Sequence, residues 1–130
     1  MKISFVSILV SDQEQALQFY RDKLGFVVTA DIPMGAARWL TLAAPDQPEG
    51  ANLSLEPVSE DFVRDYQSNL FKRNIPLTSF QVQNLDEEYA RLTDRGVEFA
   101  GPPAQYGNTA FARFKDTVGN WVQLHEVSEE

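Results

Sequence analysis

Two side chains near the ends of two similar stretches have the chemistry to handle a proton. Glu56 lies in "NLSLEPV", and His125, the only histidine of the chain, lies in "NWVQLHEV". An acid that meets a base across a cavity can hold a polar ligand or move a proton between bound groups. Each residue could equally be a rim group near a strand end, and Glu56 is followed by a proline that stops strands. Two donors make a poor metal site, since open catalytic centres need about three. The chain has no cysteine, which removes disulfides, thiolate metal sites and cysteine nucleophiles and favours a reducing, cytoplasmic compartment. It also has no glycine-rich phosphate loop opening a helix, no second histidine for a relay and no serine in a nucleophile elbow.

The elements that carry these residues occur twice. "SDQEQALQFYRDKLGF", starting at Ser11, returns in weaker form 72 positions on as "QNLDEEYARLTDRGVEF". In the first copy Asp12 caps a helix, Gln15 reaches back as in a capping box, and Ala16, Leu17, Tyr20 and Leu24 recur at helical spacing until Gly25. In the second Asn84 caps, Leu85, Tyr89 and Leu92 form the stripe, and Gly96 ends it. The spacing predicts helices over 12–24 and 84–95. Strand-like runs precede each helix, Ile3 to Val10 and Pro76 to Val82, and three more follow: "FVVTA", "RWLTLA" and "NLSLEPV" in one half, "VEFA", "AFARF" and "NWVQLHEV" in the other. Loop glycines match too, Gly35 with Gly107 and Gly50 with Gly119. The order β, α, β, β, β therefore appears twice, in an α+β chain forming one domain over 1–130. Its parts are a module over 1–58, an amphipathic linking helix within 59–75 with Phe62, Tyr66 and Leu70 as its stripe, and a module over 76–130.

A sheet with a helix on one face alternates apolar residues toward that helix and leaves the other face free for function. Val6, Ile8 and Val10, Leu40 and Leu42, Leu53 and Leu55 are the helix-facing set of the first half. The second half offers Thr78, Phe80 and Val82, Ala112 and Phe114, Val122 and Leu124. The opposite face then carries Phe5, Ser7, Trp39, Ser54 and Glu56 in one half and Phe111, Arg113, Trp121, Gln123 and His125 in the other. Aromatics among a few polar groups suit a small-molecule pocket, so Phe5, Ser7, Trp39, Ser54, Phe111, Arg113, Trp121 and Gln123 are the expected ligand-binding residues, with Glu56 and His125 the candidate catalytic pair.

The runs "VSILVSDQEQALQFYRDKLGF", "DIPMGAARWLTL" and "FKDTVGNWVQLHEV" resemble the vicinal oxygen chelate superfamily, the group of glyoxalase I, bleomycin-binding proteins, fosfomycin-resistance enzymes and extradiol dioxygenases. The resemblance spans nearly the whole chain. It implies paired βαβββ modules whose curled mixed sheets enclose one shared cavity, within a chain or across a dimer. In metal-using members the ligands sit on the first and last strands of each module; those places here hold Phe5, Leu77, Ser54 and Gln123. Only Gln123 is a plausible ligand, so no metal and no cofactor is expected.

Nineteen acidic against eleven basic residues give a net charge of −8, which repels phosphate backbones and excludes nucleic acid as a natural partner. The apolar start is too short for a membrane span or a signal peptide. The residues and the resemblance together predict a cytoplasmic, homodimeric protein with a small organic molecule in a metal-free, aromatic-lined cavity, the dimer and the lack of a metal being what the resemblance implies, and they leave open whether it is an enzyme. Two alternatives stand beside this: a metal-dependent lyase or dioxygenase with atypical ligands, and sequestration of a cationic, planar antibiotic. Fold resemblance alone does not choose among them.

Overall fold

A computed structural model describes residues 1–128. The first half contains β1 (Phe5–Val10), α1 (Gln13–Gln18, continued by a π-helical turn over Phe19–Lys23), β2 (Val27–Met34), β3 (Ala37–Ala43) and β4 (Asn52–Pro57). After the linking helix α2 (Asp61–Lys72) come β5 (Thr78–Gln81), α3 (Leu85–Asp94), β6 (Ala104–Tyr106), β7 (Thr109–Lys115) and β8 (Trp121–Val127). Each half forms a four-stranded mixed sheet, ordered β1-β4-β3-β2 and β5-β8-β7-β6, in which only the first and last strands run parallel. The α+β reading and the paired modules therefore hold. Among the described residues no helix is long and apolar enough to cross a membrane.

The caps form as their residue types dictate. The Asp12 carboxylate accepts the Gln15 N–H at 2.8 Å and the Asn84 side chain accepts that of Glu87 at 3.1 Å, each satisfying an orphan donor of the first turn. The Gln15 side chain does not reach back: its amide donates to the Thr117 carbonyl, tying the helix to the other half. The first helix is also not one regular α-helix. Leu24 N–H bonds to the Phe19 carbonyl, five residues back, and Gly25 ends the element at φ 85°. That wider turn lets Phe19 and Tyr20, neighbours in sequence, both be buried.

The second half departs from the first after its helix. "VEFA" contributes a single bridge, Phe99 to Phe114, and the outer strand forms later, at β6, with three residues against eight in β2. Two prolines, Pro102 and Pro103, stand just before it, where strand pairing would need their missing N–H groups. The linking helix is turned from its expected orientation: Phe62 is 73% exposed and Tyr66 55%, while Gln67 is buried. A polar network described below outweighs the apolar stripe in setting its rotation.

One core joins the halves. The helix-facing residues Ile8, Leu40 and Leu55 of the first sheet and Ala112, Phe114 and Val122 of the second share a cluster with Leu17, Phe19 and Tyr20 of α1 and Leu85 and Leu92 of α3. The Phe19 ring stacks on Phe114 at 5.9 Å, and Phe26 meets Phe80 at 5.4 Å. The helices thus bury their apolar stripes between the two sheets, and each sheet turns its other face outward.

Candidate functional site

The outward face of the first sheet gathers its residues by register. Phe5 pairs with Asn52 and Ser7 with Ser54, which places one row of side chains on β1 beside another on β4. Phe5, 48% exposed, meets Trp39 edge to face at 5.1 Å. Glu56 accepts hydrogen bonds from the Ser54 hydroxyl at 3.1 Å and the Ser7 hydroxyl at 3.4 Å. Behind them Thr41 is buried, its hydroxyl 2.7 Å from that of Thr29. Two rings and an acid with two hydroxyls thus stand side by side on one wall.

On the second sheet β7 and β8 supply the matching wall. A concavity of about 410 Å³ is lined by Phe111, Arg113, Gln123, Tyr106, Pro76 and Ala104, among others. Tyr106 lies against Phe111 at 5.9 Å. Gln123 donates to the Ser79 hydroxyl at 3.2 Å, and that oxygen lies 2.6 Å from Nδ1 of His125. A serine hydroxyl that accepts from Gln123 has its own proton free for His125. With the hydroxyl as donor, the acceptor is Nδ1 of His125.

The predicted acid–base pair does not assemble. Glu56 is bonded within the first sheet and His125 within the second, and among the described residues no hydrogen bond or ion pair joins them. Symmetry-related positions fall on different outward faces here, because the shared core lies between the sheets. The same geometry splits the eight expected ligand-binding residues into two groups, Phe5, Ser7, Trp39 and Ser54 on one face and Phe111, Arg113, Trp121 and Gln123 on the other. Trp121 is furthermore 8% exposed, with Phe71 of the linking helix stacked on it at 5.5 Å. It faces away from α3, as alternation requires, but α2 covers it.

The four places that the resemblance marks as metal positions carry Phe5, Leu77, Ser54 and Gln123. A phenyl ring, an isobutyl group, a hydroxyl hydrogen-bonded to Glu56 and one carboxamide do not make a transition-metal donor set. Among the described residues no three of His, Cys, Asp and Glu converge.

Two features were not anticipated from sequence. The first is a cleft of about 660 Å³ between the halves, lined by Val6, Leu53, Phe26, Phe80 and Leu124 with Arg91 at its side. Val6 belongs to the helix-facing set yet is 43% exposed, because it stands where the helices leave a gap. The second is a buried polar knot. Asp116, fully buried, accepts from the Tyr20 hydroxyl at 2.7 Å, from the Asn120 amide at 2.7 Å and from the Val118 and Asn120 N–H groups at 3.0 Å. Burial pushes its carboxyl above the ordinary range, against the pull of these four bonds, and pushes the Tyr20 phenol well above its own. Gln67 joins by donating to Asn120 Oδ1 and to the Leu9 and Val118 carbonyls. The signal was present in "DTVGN", an acid and an amide around a glycine turn, which is the composition of a side-chain-capped loop.

Paired βαβββ sheets with these outward walls define a class. The chain belongs to the glyoxalase/bleomycin resistance protein/dioxygenase superfamily, whose family model matches residues 2–124. It is 44% identical over 124 residues to the uncharacterised protein YurT of Bacillus subtilis (strain 168), covering 95% of this chain and 98% of that one. Among solved structures it is similar to UcmS2, at 33% identity and a TM-score of 0.82 over 96% of this chain and 97% of that one. It is also similar to TnmS3, an antibiotic binding protein from Streptomyces sp. CB03234, at 29% identity and a TM-score of 0.76 over 98% and 97% of the two chains.

Proposed function

We propose that this protein binds a small organic molecule without a metal, between the outward face of the first sheet in one copy and that of the second sheet in another. The observation that carries the reading is the state of the two walls. Phe5 and Tyr106, 48% and 67% exposed, stand with partly buried Trp39 and Phe111 beside hydrogen-bonding groups, and neither wall is covered by the other within the chain. Exposed aromatic walls of this kind mark a binding surface. A homodimer in which unlike faces meet closes two equivalent cavities by one twofold axis. The wall residues would then act in complementary ways, the Phe5–Trp39 pair and Phe111 gripping an aromatic ring while Glu56, Arg113 and Gln123 set its orientation.

The similarity to an antibiotic binding protein favours an antibiotic as the ligand, held in the manner of sequestration rather than turned over. The net charge of −8 and Glu56 favour a cationic one. The test is titration of tryptophan emission with bleomycin and with a panel of planar aromatic antibiotics, together with light scattering of the protein alone. We expect a dimer, and saturable quenching by at least one compound that weakens by tenfold or more in Trp39→Ala and in Phe111→Ala, as loss of a packed aromatic anchor should bring about. A monomer, or binding indifferent to both substitutions, would overturn the reading.

A further inference from the structure

The cleft between the halves belongs to neither outward wall. Val6 and Leu53 reach it from the helix-facing side of the first sheet, and Phe80 and Leu124 from that of the second, with Phe26 beside them. At about 660 Å³ it falls within the range of roughly 300–1,000 Å³ usual for small-molecule sites. Its apolar lining is only partly used in packing. Val6 is 43% exposed and Phe80 half-buried, although alternation turns both toward the helices. Both stand on end strands, β1 and β5, where the cover of α1 and α3 runs out. Apolar surface left wet inside a concavity is what an apolar ligand gains by covering.

The charged groups of the lining are sorted by end. Arg91 and Arg95 both line the cleft, one helical turn apart on the same face of α3. Arg91 gives Nε and Nη2 to Glu88, which leaves its Nη1 free among the described residues. Arg95 gives Nη1 to the Lys23 carbonyl at 2.9 Å, and the Lys23 ammonium donates in return to the Arg95 carbonyl. This exchange caps the ends of α1 and α3 and fixes two cations at the rim. Neither cation is ion-paired among the described residues. The unpaired acid of the lining, Asp46, lies toward the other end, where it also borders the start of α3 with Asn84 and Glu87. About 10 Å of helix separates that end of α3 from Arg95. A chain with a net charge of −8 thus keeps one basic mouth, where Arg91, Arg95 and Lys23 face the single engaged acid Glu88.

We propose that the cleft is a second ligand site, which takes a chain-like apolar carboxylate of the medium-chain fatty acid class. The carboxylate accepts from Arg91 Nη1 and from the Arg95 N–H groups that the Lys23 carbonyl leaves free, and the alkyl chain covers Val6, Leu53, Phe80 and Leu124. Guanidinium groups suit such a head because each offers charged donors in a fixed fork. The site opens on the helix-facing side of both sheets, so it stands apart from the two outward walls and does not depend on what they bind.

The probes are octanoate, octanol and octylamine, which share one alkyl chain and differ in the charge of the head. Each is titrated at neutral pH, below its micelle-forming concentration, into the methyl-labelled full chain and followed by NMR. The Val6, Leu53 and Leu124 methyl signals should shift saturably with octanoate at a concentration about tenfold lower than with octanol, and octylamine should bind more weakly than either. Arg95→Gln should weaken octanoate by about tenfold and leave octanol within about twofold. Val6→Trp, which fills the open part of the cleft, should weaken both. Equal affinity for the three heads, or cleft methyls that stay unmoved, would overturn the proposal. Should Arg95→Gln fail to fold, the ranking of the three probes on the wild-type protein decides. The Trp39 indole N–H signal, followed in the same titration, keeps the two readings apart. Octanoate that moves the cleft methyls and not Trp39 supports this site whatever the antibiotic titration shows, whereas a response at Trp39 alone assigns the compound to the outward wall and removes the site.

Discussion

The turn that joins β3 to β4 and the turn that joins β7 to β8 occupy the same place in their modules and do opposite things. Between Ala43 and Asn52 the chain runs through an exposed stretch held by Gln47 N–H on the Ala44 carbonyl and Gly50 N–H on that of Gln47. Between Lys115 and Trp121 it winds around the buried Asp116, and Tyr20 from α1 and Gln67 from α2 both converge there. Among the described residues no side chain from another element hydrogen-bonds to the first turn, and Ala44, Pro45 and Gln47 instead border the 660 Å³ cleft. A duplicated module needs only one of its two copies to hold the chain together. The other copy is free to vary, and the difference shows which turn is a joint and which is a surface.

The largest expected effect comes from taking out the centre of the joint. Asp116→Ala leaves the Tyr20 hydroxyl, the Asn120 amide and two backbone N–H groups without their acceptor, and should lower stability by about 3 kcal/mol or more, while Asp46→Ala in the exposed turn should stay within about 0.5 kcal/mol. Urea denaturation measures both. The cost should also depend on pH with a definite sign. Because burial raises the Asp116 carboxyl above its ordinary value of 3.8, the folded chain keeps this proton after the unfolded chain has released it. Its contribution to stability therefore falls as pH climbs from that value through the raised one. Glu14 and Asp31, lowered by Arg38, and Asp22, lowered by Arg21, act in reverse: their contribution is complete above the ordinary carboxylate range and is lost as pH falls below it. The gap between wild type and Asp116→Ala should thus narrow as pH rises from 3.8. A gap that widens would mean that the four donors outweigh burial and hold the carboxylate ionised.

Matched glycines give a sharper version of the same contrast. Gly119 has φ 101°, and a Cβ there would come within 2.8 Å of the buried Gln67 amide. Gly119→Ala should therefore cost about 2–3 kcal/mol through strain and displacement of the knot. A Cβ on Gly50 would come within 2.4 Å of the Gln47 side chain, but its φ is not positive and Gln47 is exposed and able to swing aside. Thermal melts should show Gly50→Ala close to wild type. Equal losses at both glycines would mean that the first turn is as constrained as the second.

What could be read from the residues alone follows the same division. Strand alternation, the two caps and the stop glycines are local codes, and with the amphipathic spacing of the linker they located the three helices and seven of the eight strands to within a few residues, while the outer strand expected in "VEFA" forms instead at Ala104–Tyr106. What depends on the other half of the molecule was not legible. The rotation of α2 is decided by Gln67 reaching Leu9, Val118 and Asn120, and no pattern internal to the helix shows that an amide would outrank Phe62 and Tyr66. Trp121 was placed on the right face of β8, but the ring that covers it comes from a segment with no counterpart in the repeat. Glu56 and His125 looked like partners because they are equivalent by repeat, and equivalence by repeat says nothing about which way two sheets turn around a common core. The division between strand-borne wall residues, which alternation finds, and the covering and pairing of the walls, which tertiary packing decides, runs through the whole candidate site.

The smallest effect expected is a difference that ought to vanish. If the two halves keep the same framework and diverge in their turns, the helix caps should be worth the same in each. Asp12→Ala and Asn84→Ala each remove one acceptor from one first-turn N–H, and each should cost about 1 kcal/mol. The carboxylate of Asp12 has the added pull of the helix dipole, worth roughly 0.3–1 kcal/mol at an exposed site and reduced by salt. In 1 M salt the two costs should converge. A cap at Asp12 that stayed much the more costly in high salt would show that its helix, bound to the second turn through Gln15 and Thr117, belongs to the joint rather than to the repeated framework.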